Sequence, residues 1–135
     1  MAEQENVIVQ TFTSYVEAFQ TLDPRAPLPY CHVPCIFIAP QGVLVMATVD
    51  EIEKFFTRVM DGLKARNYAR SELSTLQVKQ MSGDAALVSV SRVRYKTDGQ
   101  ELERVGETYT LRYTGQGWKI VVAMIHDPGA ALHLA

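Results

Sequence analysis

The chain has 135 residues and a mass of 15.1 kDa, the size of a single domain built around one core. Apolar residues make up 47% and charged residues 21%, proportions that exclude a disordered, collagenous or disulfide-stapled chain. Lys and Arg number 13 against 15 Asp and Glu, a formal charge of −2, which gives nucleic acid no electrostatic reason to bind.

The opening Met1-Ala2-Glu3-Gln4-Glu5 is acidic where a secretory or mitochondrial leader is basic, and no apolar run approaches the roughly 18 residues of a membrane span. A cytoplasmic protein with no membrane partner is therefore expected. Ile8, Phe12, Tyr15, Val16, Phe19 and Leu22 recur at helical spacing and make one apolar face, which Asp23-Pro24 should close. Prolines 24, 27, 29, 34 and 40 then hold the chain in turns or extended conformation, because each fixes φ and removes an N–H donor. Within that passage Cys31-His32-Val33-Pro34-Cys35 offers three metal ligands. A structural zinc site takes four, and His126 and His133 lie far along the chain, so two thiols are expected and no metal.

Cys35-Ile36-Phe37-Ile38 and Val43-Leu44-Val45-Met46, separated by Ala39-Pro40-Gln41-Gly42, read as a hairpin. Thr48-Val49-Asp50-Glu51 has the form of a capping box and opens a helix carrying Ile52, Phe55, Phe56, Val59, Met60 and Leu63, with Asn67 as its stop. From Arg70 the period changes to two, with turn signals at Ser82-Gly83-Asp84, Asp98-Gly99 and Gly115-Gln116-Gly117. Four strands should form an antiparallel meander that curls around the helices of the first half. The fold class is therefore α+β, a cone-shaped curved antiparallel sheet with N-terminal helices packed in its concave face, over residues 1–135 as a single domain.

This order of elements, ending in Gly117-Trp118-Lys119-Ile120, resembles the nuclear transport factor 2-like superfamily, which includes ketosteroid isomerases, SnoaL-like cyclases and scytalone dehydratase. The resemblance covers essentially the whole chain and implies a homodimer, but it implies no single activity. Tyr15 looks like the counterpart of the helix tyrosine that donates to the oxyanion in the isomerases. Where those enzymes carry a general-base aspartate before a hairpin proline, this chain has Ala39-Pro40, and alanine accepts no proton. Tyr30 and His32 fall where members of the superfamily line the mouth of the pocket.

The turns predict the register of the meander. A two-residue loop at Gly115-Gln116 sets Tyr113 opposite Trp118, Glu107 opposite Met124 and Val105 opposite His126, and the Asp98-Gly99 turn sets Val88 opposite Tyr109 and Val90 opposite Glu107. Charged Arg112, Lys119 and Arg104 mark the other face as outward, which leaves Arg92, Glu107, Tyr109, Met124 and His126 inward. Charged groups on such an apolar face must pair, shift their pKa values or meet a polar ligand. Two readings follow. Either Arg92 and Glu107 form a structural ion pair while His126 is satisfied near the rim, or they are the polar groups of a small-molecule pocket.

On the pocket reading, Glu107 and His126 carry protons, Tyr15 or Tyr109 donates a hydrogen bond, and Arg92 steadies an anion, as in a cofactor-independent isomerase, cyclase or dehydratase acting on a small apolar molecule. No dinucleotide fingerprint, phosphate-binding glycine loop or nucleophile elbow occurs, so no cofactor is expected. The rival is a non-catalytic binding or assembly module of the same fold. On the outward face Leu87, Val93, Val121 and Ile125 alternate with hydroxyl residues, which predicts a homodimer through the sheet. The apolar tail Gly129–Ala135 is expected to cover the pocket mouth or a neighbouring subunit.

Overall fold

The computed structural model describes residues 2–132. The first apolar stripe winds into helix α1, Ala2–Gln20, and its residues Ile8, Phe12, Tyr15, Val16 and Phe19 are all buried. The helix stops before Asp23-Pro24 because the chain turns at Leu22, in the left-handed region at φ 58°. A short 3-10 turn, Leu28–Tyr30, leads into strands β1, Cys31–Ala39, and β2, Gly42–Met46, which pair as the expected hairpin. Helix α2, Val49–Ala65, begins at Thr48, whose hydroxyl oxygen accepts the Glu51 N–H at 3.2 Å, a cap worth about 1 kcal/mol. It buries Ile52, Phe56, Met60 and Leu63, and Asn67 at φ 62° turns the chain out of it.

The meander follows as β3, Tyr68–Ser82, β4, Ala85–Lys96, β5, Glu101–Tyr113, and β6, Trp118–His126. All six strands form one sheet in the order β2-β1-β6-β5-β4-β3. The sheet is not wholly antiparallel: β1 runs parallel to β6, with Phe37 beside Ala123, and this pair joins hairpin to meander. Pairing the free edges of β1 and β6 satisfies backbone groups that both strands would otherwise leave open. Both helices supply the core on one face of the sheet, where Phe12 meets the Tyr109 ring edge-on at 4.8 Å and Phe19 meets Phe56 at 6.1 Å. No helix among the described residues is long and apolar enough to cross a membrane.

Register decides which side chains reach that core. Between β4 and β5 it is as predicted, with Val88 opposite Tyr109 and Val90 opposite Glu107, and the same register sets Arg94 opposite Glu103. Between β5 and β6 it holds only from Tyr113–Trp118 to Leu111–Ile120. Val121 is then an extra residue, Thr110 pairs with Val122, and every later β6 side chain lies on the face opposite to the one predicted. Glu107 faces Ile125 instead of Met124, and Gly106 faces His126.

His126 therefore packs on the outer face. Its Nδ1 donates to the Asp127 carbonyl at 2.8 Å, and its Nε2 hydrogen-bonds with the Thr108 hydroxyl at 2.8 Å. Thr108 contacts Ser89 Oγ at 2.8 Å, and Ser89 Oγ accepts the Leu132 N–H at 2.9 Å. The described part of the tail thus crosses the outer face of its own β4 and β5, through the 3-10 turn Pro128–Ala130, rather than the pocket mouth. His133, Leu134 and Ala135 lie outside the described residues. Gly106 makes this arrangement possible, since a Cβ there would sit 2.6 Å from the Asp127 carbonyl oxygen and 2.7 Å from His126 Nδ1. Gly106→Ala should cost roughly 1–3 kcal/mol, because backbone must move to admit one methyl group. Urea unfolding checks it: an unchanged midpoint would mean that the tail yields without loss.

Candidate functional site

A cavity of about 100 Å³ lies between α1, α2 and the inner face of the sheet. Its wall is mostly apolar, including Phe19, Phe37, Phe55, Phe56, Met46 and Ile52, with Ile120, Ala123 and Ile125 brought in by β6. Its polar members are Tyr15 from α1, Arg92 and Arg94 from β4, Glu107 and Tyr109 from β5, and Cys31 and Cys35 from β1. Among the described residues, no group of three or more His, Cys, Asp and Glu side chains gathers as metal ligands. His32 instead places Nδ1 2.9 Å from the Pro34 carbonyl oxygen.

Arg92, Tyr109 and Glu107 form a closed buried network. Arg92 Nη2 donates to the Tyr109 hydroxyl at 2.7 Å, and that hydroxyl donates to Glu107 Oε2 at 2.6 Å. Arg92 Nη2 also stands 2.9 Å from Glu107 Oε1, close enough for an ion pair. The approach is not aligned for a hydrogen bond, so Oε1 is buried without one, as are the Nε atoms of Arg92 and Arg94. A buried polar atom left unsatisfied costs about 1–3 kcal/mol, a cost that a hydrogen-bonding ligand would remove.

The electrostatics hold the donors in their protonated forms. Burial raises the Tyr15 hydroxyl well above the ordinary tyrosine value, with Cys31 and Glu107 adding to it. Tyr109 is raised likewise, by burial first; Arg92 pulls the other way, and Glu107 and Tyr15 add to the rise. For Arg92 burial disfavours the charge, but Glu107 and the surrounding tyrosines outweigh it and keep the guanidinium protonated. The Tyr15 ring lies 6.1 Å from Tyr109 and 6.4 Å from Tyr30, so it stacks within the aromatic wall.

Four of the sequence-derived residues, Tyr15, Arg92, Glu107 and Tyr109, line this cavity. Tyr30 packs behind Tyr15, and His32 does not reach the wall. Met124 and His126 are corrected to the outer face by the Val121 bulge, which removes His126 from the set of groups able to exchange a proton with Glu107. Arg94 was legible and missed: it shares the face of Arg92 two residues earlier on β4. Cys31 and Cys35 carried no such signal, because nothing local says that both thiols enter one cavity.

Residues 3–128 match the family of NTF2-like proteins termed DUF6841. The chain belongs to that family. The fold of this NTF2-like protein is shared by solved structures of low sequence identity. A Nostoc punctiforme protein of unknown function with a cystatin-like fold superposes with a TM-score of 0.76 at 14% identity, over 95% of this chain and 94% of its own. A ketosteroid isomerase-like protein from Erwinia carotovora atroseptica gives 0.70 at 19% identity, over 93% and 96%. A candidate dehydratase of the NTF2-like family from Streptomyces avermitilis gives 0.73 at 17% identity, over 92% and 95%. No curated protein matches the sequence. These likenesses establish the cystatin-like α+β fold and leave the chemistry to the residues.

At the rim, Glu103 joins sheet to helix. It accepts from Arg94 Nη1 at 2.6 Å and from Arg66 Nη2, at the end of α2, at 2.9 Å. Burial pushes its carboxyl up, but the two guanidinium hydrogen bonds prevail and hold it below the ordinary value. A depressed folded-state pKa stabilises the fold above the unfolded-state value and ceases to do so as pH falls through the folded-state value. Glu103→Gln should thus be less stable than wild type at neutral pH, with the gap closing as the solution is acidified below the usual glutamate range. Thermal unfolding of both proteins across that range checks it, and a gap independent of pH would assign the loss to packing.

Proposed function

We propose that the cavity binds a small, largely apolar molecule carrying one polar group, and that Glu107 accepts a proton from it while Tyr15 donates a hydrogen bond to the oxygen that gains charge. The observation behind this reading is Glu107 Oε1, buried in an aromatic wall without a hydrogen bond. A carboxylate in such surroundings with a protonated tyrosine nearby is the pairing that proton abstraction next to a carbonyl requires. With His126 on the other face, the same carboxylate must both take and return the proton. That favours isomerisation, a proton moved between two carbons, over a dehydration that needs a separate acid. The names of the ketosteroid isomerase-like and dehydratase-like neighbours are compatible with this class. The volume limits the substrate: engineered cavities of roughly 150 Å³ take up benzene, so at about 100 Å³ this site must widen to admit even a single ring, and nothing larger suits it.

A second reading, ligand binding without turnover, draws on the commitment of both Arg92 and Tyr109 to Glu107. A single-ring β,γ-unsaturated ketone separates the two. Wild type should convert it to the conjugated enone faster than buffer does, followed by ultraviolet absorbance, and Glu107→Gln should lose about 10²-fold or more. Binding seen by ligand-observed NMR without conversion would select the second reading. Neither binding nor conversion would count against both for this ligand class.

The outer face supports a homodimer. Its β4–β5 half is covered by the tail, but the other half carries two apolar rows, Val45–Ile36–Val122 and Val43–Ile38–Met124, across β2, β1 and β6. Val43 and Val45 are 66% and 58% exposed. A second copy related by a two-fold axis would cover these rows with their own like. Sedimentation at micromolar concentration should show a dimer, and the double variant Val43→Lys, Val45→Lys should sediment as a monomer. A monomeric wild type would remove the dimer from this account.

A further inference from the structure

The cavity shares one wall with a second hollow. An open groove of about 380 Å³ runs between the tip of the β1–β2 hairpin and α2. Phe37, Phe55 and Val59 line both. The division can be followed along each element. On β1, Cys35 borders only the cavity, Phe37 borders both hollows, and Ala39 borders only the groove. Across the hairpin, Met46 opposite Cys35 borders the cavity, and Leu44 opposite Phe37 borders the groove. On α2, Ile52 and Phe56 border the cavity, Phe55 and Val59 both, and Arg58 the groove. A single layer of side chains therefore separates the two, centred on the Phe37–Phe55 pair with its ring centroids 4.8 Å apart.

This layer stands at the end of the cavity remote from the charge network. Phe37 pairs with Ala123 on β6 and Ala123 pairs with Tyr109 on β5, so the three side chains make one row across the inner face. Neighbouring strands lie about 4.8 Å apart, which sets Phe37 roughly 10 Å from Tyr109 with the single methyl group of Ala123 in the row between them. A large residue at position 123 would fill that space, and alanine leaves it open. Tyr109 and Glu107 close one end of the cavity and the two phenyl rings close the other.

The same layer is the part of the wall best able to yield. Among the described aromatic residues that line the cavity, Tyr15, Phe19, Phe56 and Tyr109 are buried, whereas Phe37 and Phe55 are half-buried. Moving a buried ring disturbs close packing on every side, while a half-buried ring can turn into space that it already borders. An aromatic pair adds only a modest attraction to what burial gives, so parting these two rings costs little beside repacking the core.

We propose that the Phe37–Phe55 pair is the gate of a two-part site, in which the cavity takes the ring of the ligand and the groove takes an apolar chain attached opposite the ring's polar group. The ligand class is accordingly a single ring with an alkyl substituent. Residues 37 and 39 stand about 7 Å apart along β1, the reach of a short alkyl chain. This inference rests on the reading of the cavity as a small-molecule site, but not on proton transfer by Glu107.

The test compares cyclohexanone with 4-hexylcyclohexanone by isothermal titration. Neither ketone carries the double bond that isomerisation needs, so affinity is read without turnover. Wild type should bind the hexyl ketone about tenfold tighter or more, because each buried methylene adds to affinity. Nuclear Overhauser contacts should join the chain to the Leu44 methyl groups, and Leu44→Gln should remove most of the advantage. Phe55→Ala, which opens the layer, should admit the bicyclic 2-decalone that wild type excludes. The wild-type comparison stands alone should either variant fail to fold. Equal affinity for the two ketones, a bound hexyl chain without contact to Leu44, or a folded Phe55→Ala protein that still excludes 2-decalone would each overturn this inference and leave the proton-transfer reading where it stands. Binding of neither ketone would overturn it together with the small-molecule reading beneath it.

Discussion

The buried contact between Arg92 and Glu107 organises much of this protein. A guanidinium and a carboxylate on neighbouring strands, exposed by 2% and 8%, are tolerable inside only as a pair. Tyr109 completes the pair and is itself held by Phe12 of α1, so the charge network fixes how the helix lies on the sheet. Removing either charge alone would leave the other buried without its counterion, at a cost of about 3–5 kcal/mol.

How far the sequence disclosed this arrangement depended on whether the deciding signal was local. Thr48 and Glu51 lie three residues apart and announced the start of α2. Asp98-Gly99 fixed β4 against β5, so Arg92, Glu107 and Tyr109 were legible as one inward cluster. The Val121 bulge was not legible. It falls in Ile120-Val121-Val122-Ala123, where all residues are apolar and either phase of the strand buries as much as the other. No glycine, proline or charge marks the slip, and with it went the placement of Met124 and His126. The parallel pairing of β1 with β6 was equally hidden, because the partners are distant in sequence and no turn connects them.

The two faces of the sheet divide the chemistry. The inner face carries the charge network, the tyrosines and the thiols, all within one aromatic enclosure. The outer face carries a hydroxyl and imidazole chain from Leu132 through Ser89 and Thr108 to His126, which ties the tail down and leaves the β2–β1–β6 half apolar. Gly106 lets His126 lie against β5, so one missing side chain supports the whole outer arrangement.

The parallel seam between β1 and β6 also bears on the order in which the chain acquires its parts. Cys35 reaches the Ile120 carbonyl across 85 residues of sequence, whereas the β3–β4 and β4–β5 hairpins close over short turns. Contacts of such wide separation form late, because the entropy of closing the loop must be met before any pairing is gained. The meander can therefore assemble as a scaffold before the hairpin docks on β6, and only docking encloses the cavity. Local unfolding by the reverse route would undock the hairpin first, giving the interior a slow exchange route with solvent that leaves the rest of the sheet paired.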